Sequence, residues 1–328
     1  MLVKAWSDIN PVSILLWPVS LLFCALVSLR RKLYRKHILH SWQAPVPVIV
    51  VGNISVGGTG KTPVVVALLA FLKASGWRPG VVSRGYGGSG GDAPKLVADE
   101  PEAFRVGDEP LLLHRRTACP VCVGADRSAA VRKLLQSSDC NVVVTDDGLQ
   151  HYRLQRDFEI AVVDAGKMHG NGFCLPAGPL REPVSRLGSV DFVLFNRPTV
   201  VDDGRSFCLH PQALRSLDDT LSKPPEAFAG CDVYAVAGTA SAGRFFATLE
   251  SLGIRAEVKA FPDHHRFSAE DFAEQRGRPL IMTEKDAVKC TELGLSDAWY
   301  LPVTAELPET LQDKILQCLS DHTDNHES

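Results

Sequence analysis

Residues 47–72 read PVIVVGNISVGGTGKTPVVVALLAFL, in which a β-branched run is followed by a glycine-rich turn and a second apolar run of helical length. Glycines in such a turn let backbone N–H groups face a phosphate, a lysine neutralises phosphate oxygens, and a threonine at the helix N-terminus can ligate Mg²⁺. The strict pattern places its first glycine at residue 55, where this chain has serine. The stretch nevertheless predicts a P-loop for a nucleotide, formed by Ser55, Val56, Gly57, Gly58, Thr59, Gly60, Lys61 and Thr62.

Downstream of residue 42, short apolar runs alternate with helical stretches, which is typical of an α/β protein. The runs are apolar throughout, as in a parallel sheet covered on both faces. Strands are predicted at 46–52, 80–83, 119–123, 141–145, 158–164 and 191–195, and helices at 62–75, 109–116 and 126–137. The chain is therefore expected to have a P-loop NTPase-like fold with a mostly parallel sheet.

A polar stretch rich in Pro, Asp and Ser covers residues 197–228 and has no clear strand pattern. After it, a second series predicts strands at 233–238, 256–261 and 279–283, and helices at 240–252, from 268, and at 309–319. We therefore expect two domains, a P-loop domain at 41–222 and a smaller α/β domain at 223–328, preceded by a separate N-terminal segment at 1–40.

The N-terminal segment holds an uncharged apolar run, residues 11–29, and five basic residues follow at 30–36. A 19-residue helix is about 28 Å long, which barely crosses a hydrocarbon core of roughly 30 Å. A signal peptide would carry its positive charge before the apolar run. We expect a membrane-associated helix that spans the bilayer or lies in one leaflet, with the catalytic domains on the cytoplasmic side; the alternative is a buried core helix.

Composition excludes several classes of protein. The chain has 328 residues, 45% of them hydrophobic, which is enough to build large cores. Its 35 basic residues are outnumbered by 38 acidic residues, so no overall field attracts nucleic acid. Nine cysteines lie mostly apart, which argues against a disulfide framework, and Cys119 and Cys122 are expected to be buried strand thiols rather than zinc ligands.

A carboxylate that helps to hold Mg²⁺ is expected at the end of a second buried strand. The run NVVVTDD at 141–147 supplies Asp146 and Asp147, although Asp147–Gly148 is also typical of an Asx turn. Guanine-binding proteins present Asn/Thr-Lys-x-Asp after a later strand, and the sequence TEKD at 283–286 misses that order by one residue. ATP is therefore the expected nucleotide.

Three other polar clusters stand beside predicted strands and helices. Arg84 and Tyr86 follow a strand in a glycine-rich loop, where α/β sheets place their ligands. Asp108 and Glu109 precede an apolar run and are suited to the start of a helix. The sequence FPDHHRF at 261–267 groups two imidazoles beside a carboxylate, which indicates proton transfer or zinc binding.

Seven stretches occur in an order that resembles the tetraacyldisaccharide 4'-kinase family, the lipid A kinases of Gram-negative bacteria. They are VGNISVGGTGKTP, SRGYGG, GDEP, TDDGLQH, GPLREP, FPDHHRF and TEKDAVK, and the resemblance covers about residues 10–290, including the serine at position 55. It implies ATP- and Mg²⁺-dependent phosphorylation of the 4'-hydroxyl of an acylated glucosamine disaccharide 1-phosphate, giving lipid IVA at the cytoplasmic face of the inner membrane. It also implies two α/β/α domains with the active site between them, and it indicates no obligatory protein partner.

The same resemblance implies roles for individual residues. Asp108 would be the general base on the sugar hydroxyl, supported by His264, while Lys61 and Thr62 keep their P-loop roles. Glu109, Asp146 and Asp147 would hold Mg²⁺ or its water shell. The residues implied to line the nucleotide and sugar-phosphate cleft are Arg127, Gln150, His151 and Arg181.

Two alternatives come from other functional classes. One is a membrane-tethered P-loop switch that hydrolyses ATP, but such proteins carry a lysine just before the paired glycines, where this chain has Val56. The other is a small-metabolite kinase or ligase with an unrelated anchor. Soluble sugars and the acylated disaccharide, offered in parallel, would distinguish that enzyme from a lipid kinase.

Overall fold

The computed structural model describes residues 6–85, 93–99, 103–199, 201 and 203–327, so Tyr86 lies outside the described residues. The helices are α1 (Pro11–Arg35), α2 (Lys61–Ala74), α3 (Ala103–Val106), α4 (Asp108–Thr117), α5 (Arg127–Ser137), α6 (Ala242–Ser251), α7 (Glu284–Cys290) and α8 (Glu309–Glu327). The strands are β1 (Val48–Gly52), β2 (Pro79–Ser83), β3 (Lys95–Leu96), β4 (Val121–Val123), β5 (Val142–Asp146), β6 (Phe158–Asp164), β7 (Phe192–Asn196), β8 (Ser206–Phe207), β9 (Leu209–Pro211), β10 (Leu214–Ser216), β11 (Ser222–Lys223), β12 (Val233–Ala237), β13 (Ala256–Ala260), β14 (Leu280–Thr283), β15 (Ala298–Leu301) and β16 (Val303–Ala305).

The larger sheet has eight strands in the order β3-β4-β2-β5-β1-β6-β7-β8, and only the β3–β4 pair is antiparallel. The central strands β1, β2, β5 and β6 are buried along their whole length, because helices cover both faces of the sheet. In the β1–β5 register Val51 lies opposite Asp146, so both strands end at the same edge of the sheet. That edge is where the glycine-rich turn and the paired aspartates meet.

The smaller sheet has six strands in the order β11-β10-β15-β14-β12-β13. Strands β12, β13, β14 and β15 run parallel, and β10 and β11 extend the sheet as antiparallel strands. Its two faces bury separate cores, one around Tyr234 and Phe267 and the other around Val233 and Trp299. The predicted fold class, a mostly parallel P-loop NTPase-like domain with a smaller α/β domain and an N-terminal apolar helix, is confirmed.

The structure departs from the predicted domain limits in two places. The polar stretch at 197–228 contains four short strands, and β10 and β11 belong to the smaller sheet, so the predicted limit at 222/223 falls inside β11. The last helix α8 returns to the larger domain, where Leu311, Ile315 and Leu319 are buried in the same core as α2.

The residues after Ser268 form a 3₁₀ helix (Ala269–Gln275) rather than an α-helix.

Helix α1 has 25 residues and lies against the larger domain with one side only. Ser13 and Ser20 are buried on that side, and Tyr34 contacts Tyr152 at the far end, with a ring separation of 6.1 Å. Apolar side chains remain exposed on the other side, among them Leu15, Leu22, Leu26 and Leu29. It is the one helix in the described part of the chain that is long and apolar enough to cross a membrane.

Candidate active site

The glycine loop, residues 55–62, joins the end of β1 to the start of α2. Gly57 and Gly60 have φ of +108° and +91°, a region that side chains rarely allow. A Cβ on Gly60 would also stand 2.6 Å from Nδ2 of Asn196, which donates a hydrogen bond to the Thr59 carbonyl. The loop therefore depends on glycine at these positions, and it leads directly into the N-terminus of α2, which favours an anion.

Lys61 and Thr62 are the first two residues of α2, and both are half-buried. The Lys61 Nζ lies 3.4 Å from Oδ1 of Asp147, and Nη1 of Arg181 lies 2.8 Å from Oδ2 of the same carboxylate. Burial would raise the pKa of Asp147, but the charges of Lys61 and Arg181 outweigh it and lower that pKa to about 2. Asp147 is thus a permanent anion at neutral pH that holds the lysine at the loop.

Asp146 is the last residue of β5 and has 1% of its surface exposed. Neither of its carboxylate oxygens has a hydrogen-bond partner among the described residues. Burial, followed by the negative charge of Glu109, raises its pKa to about 7. A buried carboxylate without partners is costly unless a cation or a proton neutralises it, so this is a position that a divalent metal would stabilise.

Asp108 and Glu109 open α4 in the larger domain, and a loop of the smaller domain brings His264 to them. The Nδ1 of His264 lies 3.1 Å from Oδ2 of Asp108, which is 4% exposed. Burial acts to raise the pKa of Asp108, but the His264 hydrogen bond and the charge of Lys285 hold that pKa below its usual value. The hydrogen bond to Asp108 in turn raises the pKa of His264. The two side chains form a hydrogen-bonded pair across the cleft.

Lys285, in the first turn of α7, reaches the same carboxylates from the smaller domain. Its Nζ lies 3.0 Å from Oε1 of Glu109 and 3.7 Å from Oδ2 of Asp108. Sequence reasoning missed this residue as part of the site, although it stands in the quoted stretch TEKDAVK. Two further ion pairs join the domains, Arg116 with Glu284 and Arg244 with Asp164. The cleft is thus closed by opposite charges on its two sides.

Arg127 is buried at the start of α5, where its Nη1 donates to the Gly124 carbonyl while Nε and Nη2 have no partner among the described residues. Burial, and then the charges of Arg127 and Arg84, lower the pKa of His151 to about 3, so this imidazole is neutral at pH 7. Gln150 donates to the Asn53 carbonyl at 3.1 Å. An anion bound here would meet the neutral imidazole of His151 and the guanidinium groups of Arg127 and Arg84.

The second imidazole of the 261–267 cluster has a structural partner. Nε2 of His265 lies 3.1 Å from Oδ2 of Asp271, and its ring stacks on Phe261. The described residues contain no group of three or more His, Cys, Asp or Glu side chains arranged to hold a metal, so the zinc alternative has no support there. Cys119 and Cys122 are both buried free thiols, as expected for the sequence around β4.

Comparisons with known proteins show which sequences and which fold this chain resembles. The model of the family described as tetraacyldisaccharide-1-P 4'-kinase matches residues 12–320. The tetraacyldisaccharide 4'-kinase of Nitrosococcus oceani is 43% identical over 97% of this chain and 94% of its own length, and that of Halorhodospira halophila is 50% identical over 88% of each chain. The crystal structure of LpxK from Aquifex aeolicus, in complex with ATP, superposes with a TM-score of 0.80 at 28% identity and covers 94% of this chain and 99% of that one.

Proposed function

This chain belongs to the tetraacyldisaccharide-1-P 4'-kinase family, and we propose that it transfers the γ-phosphate of ATP to the 4'-hydroxyl of a tetraacylated glucosamine disaccharide 1-phosphate. It is therefore a kinase of lipid A biosynthesis, and the product is lipid IVA. The observation that carries the mechanism is the contact of His264 with the buried carboxylate of Asp108, which spans the cleft.

The glycine loop acts as a P-loop for the ATP phosphates. Lys61 would neutralise charge on the β- and γ-phosphate oxygens, and the start of α2 adds backbone N–H donors. The ion pair with Asp147 holds the Lys61 ammonium at the loop before ATP arrives. Phosphoryl transfer depends mainly on positioning and charge neutralisation, and both are available here.

The residues also fit Mg²⁺. Asp146 offers two buried oxygens without partners among the described residues, and a bound cation would offset the burial and the Glu109 charge that raise its pKa. The described residues form no cluster of three acidic side chains arranged to hold a metal, and Asp147 and Glu109 pair with Lys61 and Lys285. Thr62, phosphate oxygens and water would therefore complete the site, and Asp147 and Glu109 would act through the water shell of the metal. When bound, Mg²⁺ would neutralise charge on the β- and γ-phosphates.

Asp108 is the proposed general base. A sugar hydroxyl is too weak an acid to attack at neutral pH, so Asp108 accepts its proton as the oxygen–phosphorus bond forms and the bond to the ADP oxygen breaks. Its lowered pKa keeps the carboxylate ionised and able to accept that proton. His264 orients the carboxylate through its hydrogen bond and stabilises its charge.

The remaining polar residues of the cleft are suited to the phosphate on the substrate and to the sugar. Arg127 is buried with guanidinium N–H groups to spare, and Arg84 lies exposed just after β2. His151 adds a neutral imidazole, and Arg181 is held nearby by its ion pair with Asp147. Both amide hydrogens of Gln150 are donated to the Asn53 carbonyl and to Glu182, so Gln150 would line the cleft through its carbonyl oxygen. Tyr86 is proposed for the same role from the sequence alone.

We further propose that α1 lies within one leaflet on the cytoplasmic side of the inner membrane. It contacts the larger domain from Trp17 to Tyr34, which at ~1.5 Å per residue is a distance of about 26 Å, most of the thickness of the hydrocarbon core. A helix docked over that length cannot also cross the bilayer. Its exposed leucines would enter the lipid, while Lys32 and Arg35 in its last turn would contact anionic head groups.

The test is transfer of labelled γ-phosphate from ATP to the acylated disaccharide 1-phosphate in detergent micelles, with soluble glucosamine sugars offered in parallel. Label in the lipid alone supports the proposal. Label in the soluble sugars alone would favour a small-metabolite kinase, and release of phosphate without an acceptor would favour an ATP-driven switch. Either of these results would overturn the assignment.

A further inference from the structure

Residues 173–182, FCLPAGPLRE, lie between α1 and the glycine loop, and we call them the 173–182 segment. The resemblance singled out only its second half. The segment contacts the membrane helix on one side and the phosphate-binding machinery on the other. Three sets of contacts define this connection.

The first set joins the segment to the glycine loop through the backbone. The amide of Val56 donates to the Pro179 carbonyl at 2.8 Å, and the amide of Arg181 donates to the Ile54 carbonyl at 2.7 Å. Between these hydrogen bonds, Ser55 and Leu180 form an antiparallel bridge. The first half of the glycine loop is therefore held as a short strand against the 173–182 segment, and a shift of the segment moves the loop.

The second set joins the segment to the catalytic charges. Arg181 donates from Nη1 to Oδ2 of Asp147 at 2.8 Å, and the other oxygen of Asp147 lies 3.4 Å from Lys61 Nζ. The position of the segment thus also affects the anion that holds Lys61. Backbone and side-chain contacts act on the same phosphate site.

The third set joins the segment to α1. The Ser20 hydroxyl, 3% exposed, donates to the Cys174 carbonyl at 2.6 Å. Phe23 packs on a small buried core made of Ile54, Cys174 and Leu180, of which Ile54 immediately precedes the glycine loop. Loss of these α1 contacts would uncover the hydrophobic support of the loop.

We propose that α1 is a part of the ATP site as well as a membrane anchor, and that Ser20 and Phe23 are positioning residues that hold the glycine loop through the 173–182 segment. The inference rests on the proposed ATP-binding role of that loop. Docking of α1 on the larger domain and binding of ATP are then coupled, because both depend on one packed interface. The lipid-facing side of α1 takes no part in this coupling.

The experiment uses the full chain in detergent and measures the dissociation constant of ATP by titration calorimetry. Phe23→Ala should weaken ATP binding about three- to tenfold, the range that substitutions between coupled sites usually produce, and Phe23→Leu should restore most of it. The matched control is Leu22→Ala, one position away on the lipid-facing side with 62% exposure. It should leave ATP affinity unchanged and weaken binding to phosphatidylethanolamine–phosphatidylglycerol vesicles.

Steady-state kinetics separate a positioning role from general destabilisation. The KM for ATP should rise in Phe23→Ala while the KM for the lipid acceptor stays the same, at an unchanged unfolding temperature. If Phe23→Ala does not fold, Ser20→Ala, which removes a single hydrogen bond, should give the same direction of change. Equal ATP affinity in the unaltered chain and in the folded packed-side variants would overturn the inference alone. Failure of the unaltered chain to bind ATP would remove the proposed function and this inference together.

Discussion

The Nδ1 atom of His264 lies 3.1 Å from Oδ2 of Asp108, although 156 positions separate the two residues. Asp108 belongs to the larger domain and His264 to the smaller one, so this contact joins the two domains across the cleft. Burial acts to raise the pKa of Asp108, but this hydrogen bond helps to lower it, and the same bond raises the pKa of His264. The contact between the domains therefore affects the proton affinity of the proposed base as well as its position.

Removal of the Lys61 ammonium should abolish most of the activity. We expect Lys61→Ala to lower kcat by on the order of 10² or more, because one charge-stabilising donor at a transition state is worth that much. Thr62→Ala should act in the same direction. The measurement is labelled phosphate transfer, and Lys73→Ala, at the other end of α2, is the control. Near-normal turnover in Lys61→Ala would remove the glycine loop from the mechanism.

Asp146→Asn should raise stability while it lowers activity. The folded pKa of Asp146 is about 7 and its ordinary value is 3.8, so the native state holds its proton more tightly than the unfolded chain does. The stability linked to this proton is full below pH 3.8 and is lost as the pH rises through about 7. Asparagine does not ionise, so the variant keeps its stability as the pH rises. Its free energy of unfolding should exceed that of the unaltered chain by on the order of a few kcal/mol above pH 7, and the difference should vanish below pH 4.

Chemical denaturation from pH 4 to pH 8.5 measures this difference. Asp139→Asn is the control, because that side chain is exposed at the surface beside Arg78. A stability difference for Asp146→Asn that does not change with pH would contradict the assignment. Added Mg²⁺ and ATP should stabilise the unaltered chain more than the variant.

Lys285→Met should shift the acid limb of the pH–rate profile. Lys285 lowers the pKa of Asp108, so removal of its charge should raise that pKa. The acid limb of kcat/KM then shifts to higher pH. Lys259→Met, an exposed lysine of the same domain that pairs with Glu274, should leave the limb in place. An acid limb at the same pH in Lys285→Met would mean that Asp108 does not control it.

The exposed side of α1 should determine membrane binding. Replacing Leu15, Leu22 and Leu26 together by Asn is expected to weaken partition into anionic vesicles by on the order of 10² or more, because each buried leucine contributes about 1.5–3 kcal/mol. Vesicle sedimentation measures the partition. Leu221→Asn, an exposed leucine elsewhere, serves as the control. Unchanged partition of the triple variant would require another membrane-binding surface.

Local sequence patterns were sufficient for the parts of the site that lie within one strand-to-helix unit. The β-branched run, the glycines and the following apolar run predicted β1, the glycine loop and α2 to within two residues. The end of β5 at Asp146 followed from an apolar run that stops at two carboxylates. These features are predictable because local backbone conformation and burial determine a periodic pattern of apolar and polar residues within a short stretch of sequence.

Contacts between elements that are distant in the chain could not be predicted from local sequence patterns. Lys285 looks like an ordinary charged residue at a helix start, and only the docking of α7 against α4 brings it to Asp108 and Glu109. The return of α8 to the larger domain could not be predicted either, because the sequence of an amphipathic helix does not identify the core against which the helix packs. Strands β10 and β11 have two or three residues each, too few for a period of two to be recognised.

The strongest test of the mechanism is the energetic coupling of Asp108 and His264. Asp108→Ala should lower kcat by roughly 10² or more, within the range that general-base catalysis supplies, while ATP affinity changes little because the glycine loop is intact. His264→Ala should have a smaller effect in the same direction, because it removes the hydrogen bond that orients the carboxylate but leaves the carboxylate itself. His265→Ala, which lacks a contact with Asp108 among the described residues, is the control.

The double variant decides whether the two side chains act as one unit. If they do, Asp108→Ala with His264→Ala should be little slower than Asp108→Ala alone, since residues that act together are not additive. Single-turnover phosphate transfer at saturating ATP and lipid measures the chemical step in all four proteins. Defects that multiply fully would mean that His264 acts independently of Asp108, and an unchanged kcat in Asp108→Ala would mean that another group accepts the proton of the sugar hydroxyl.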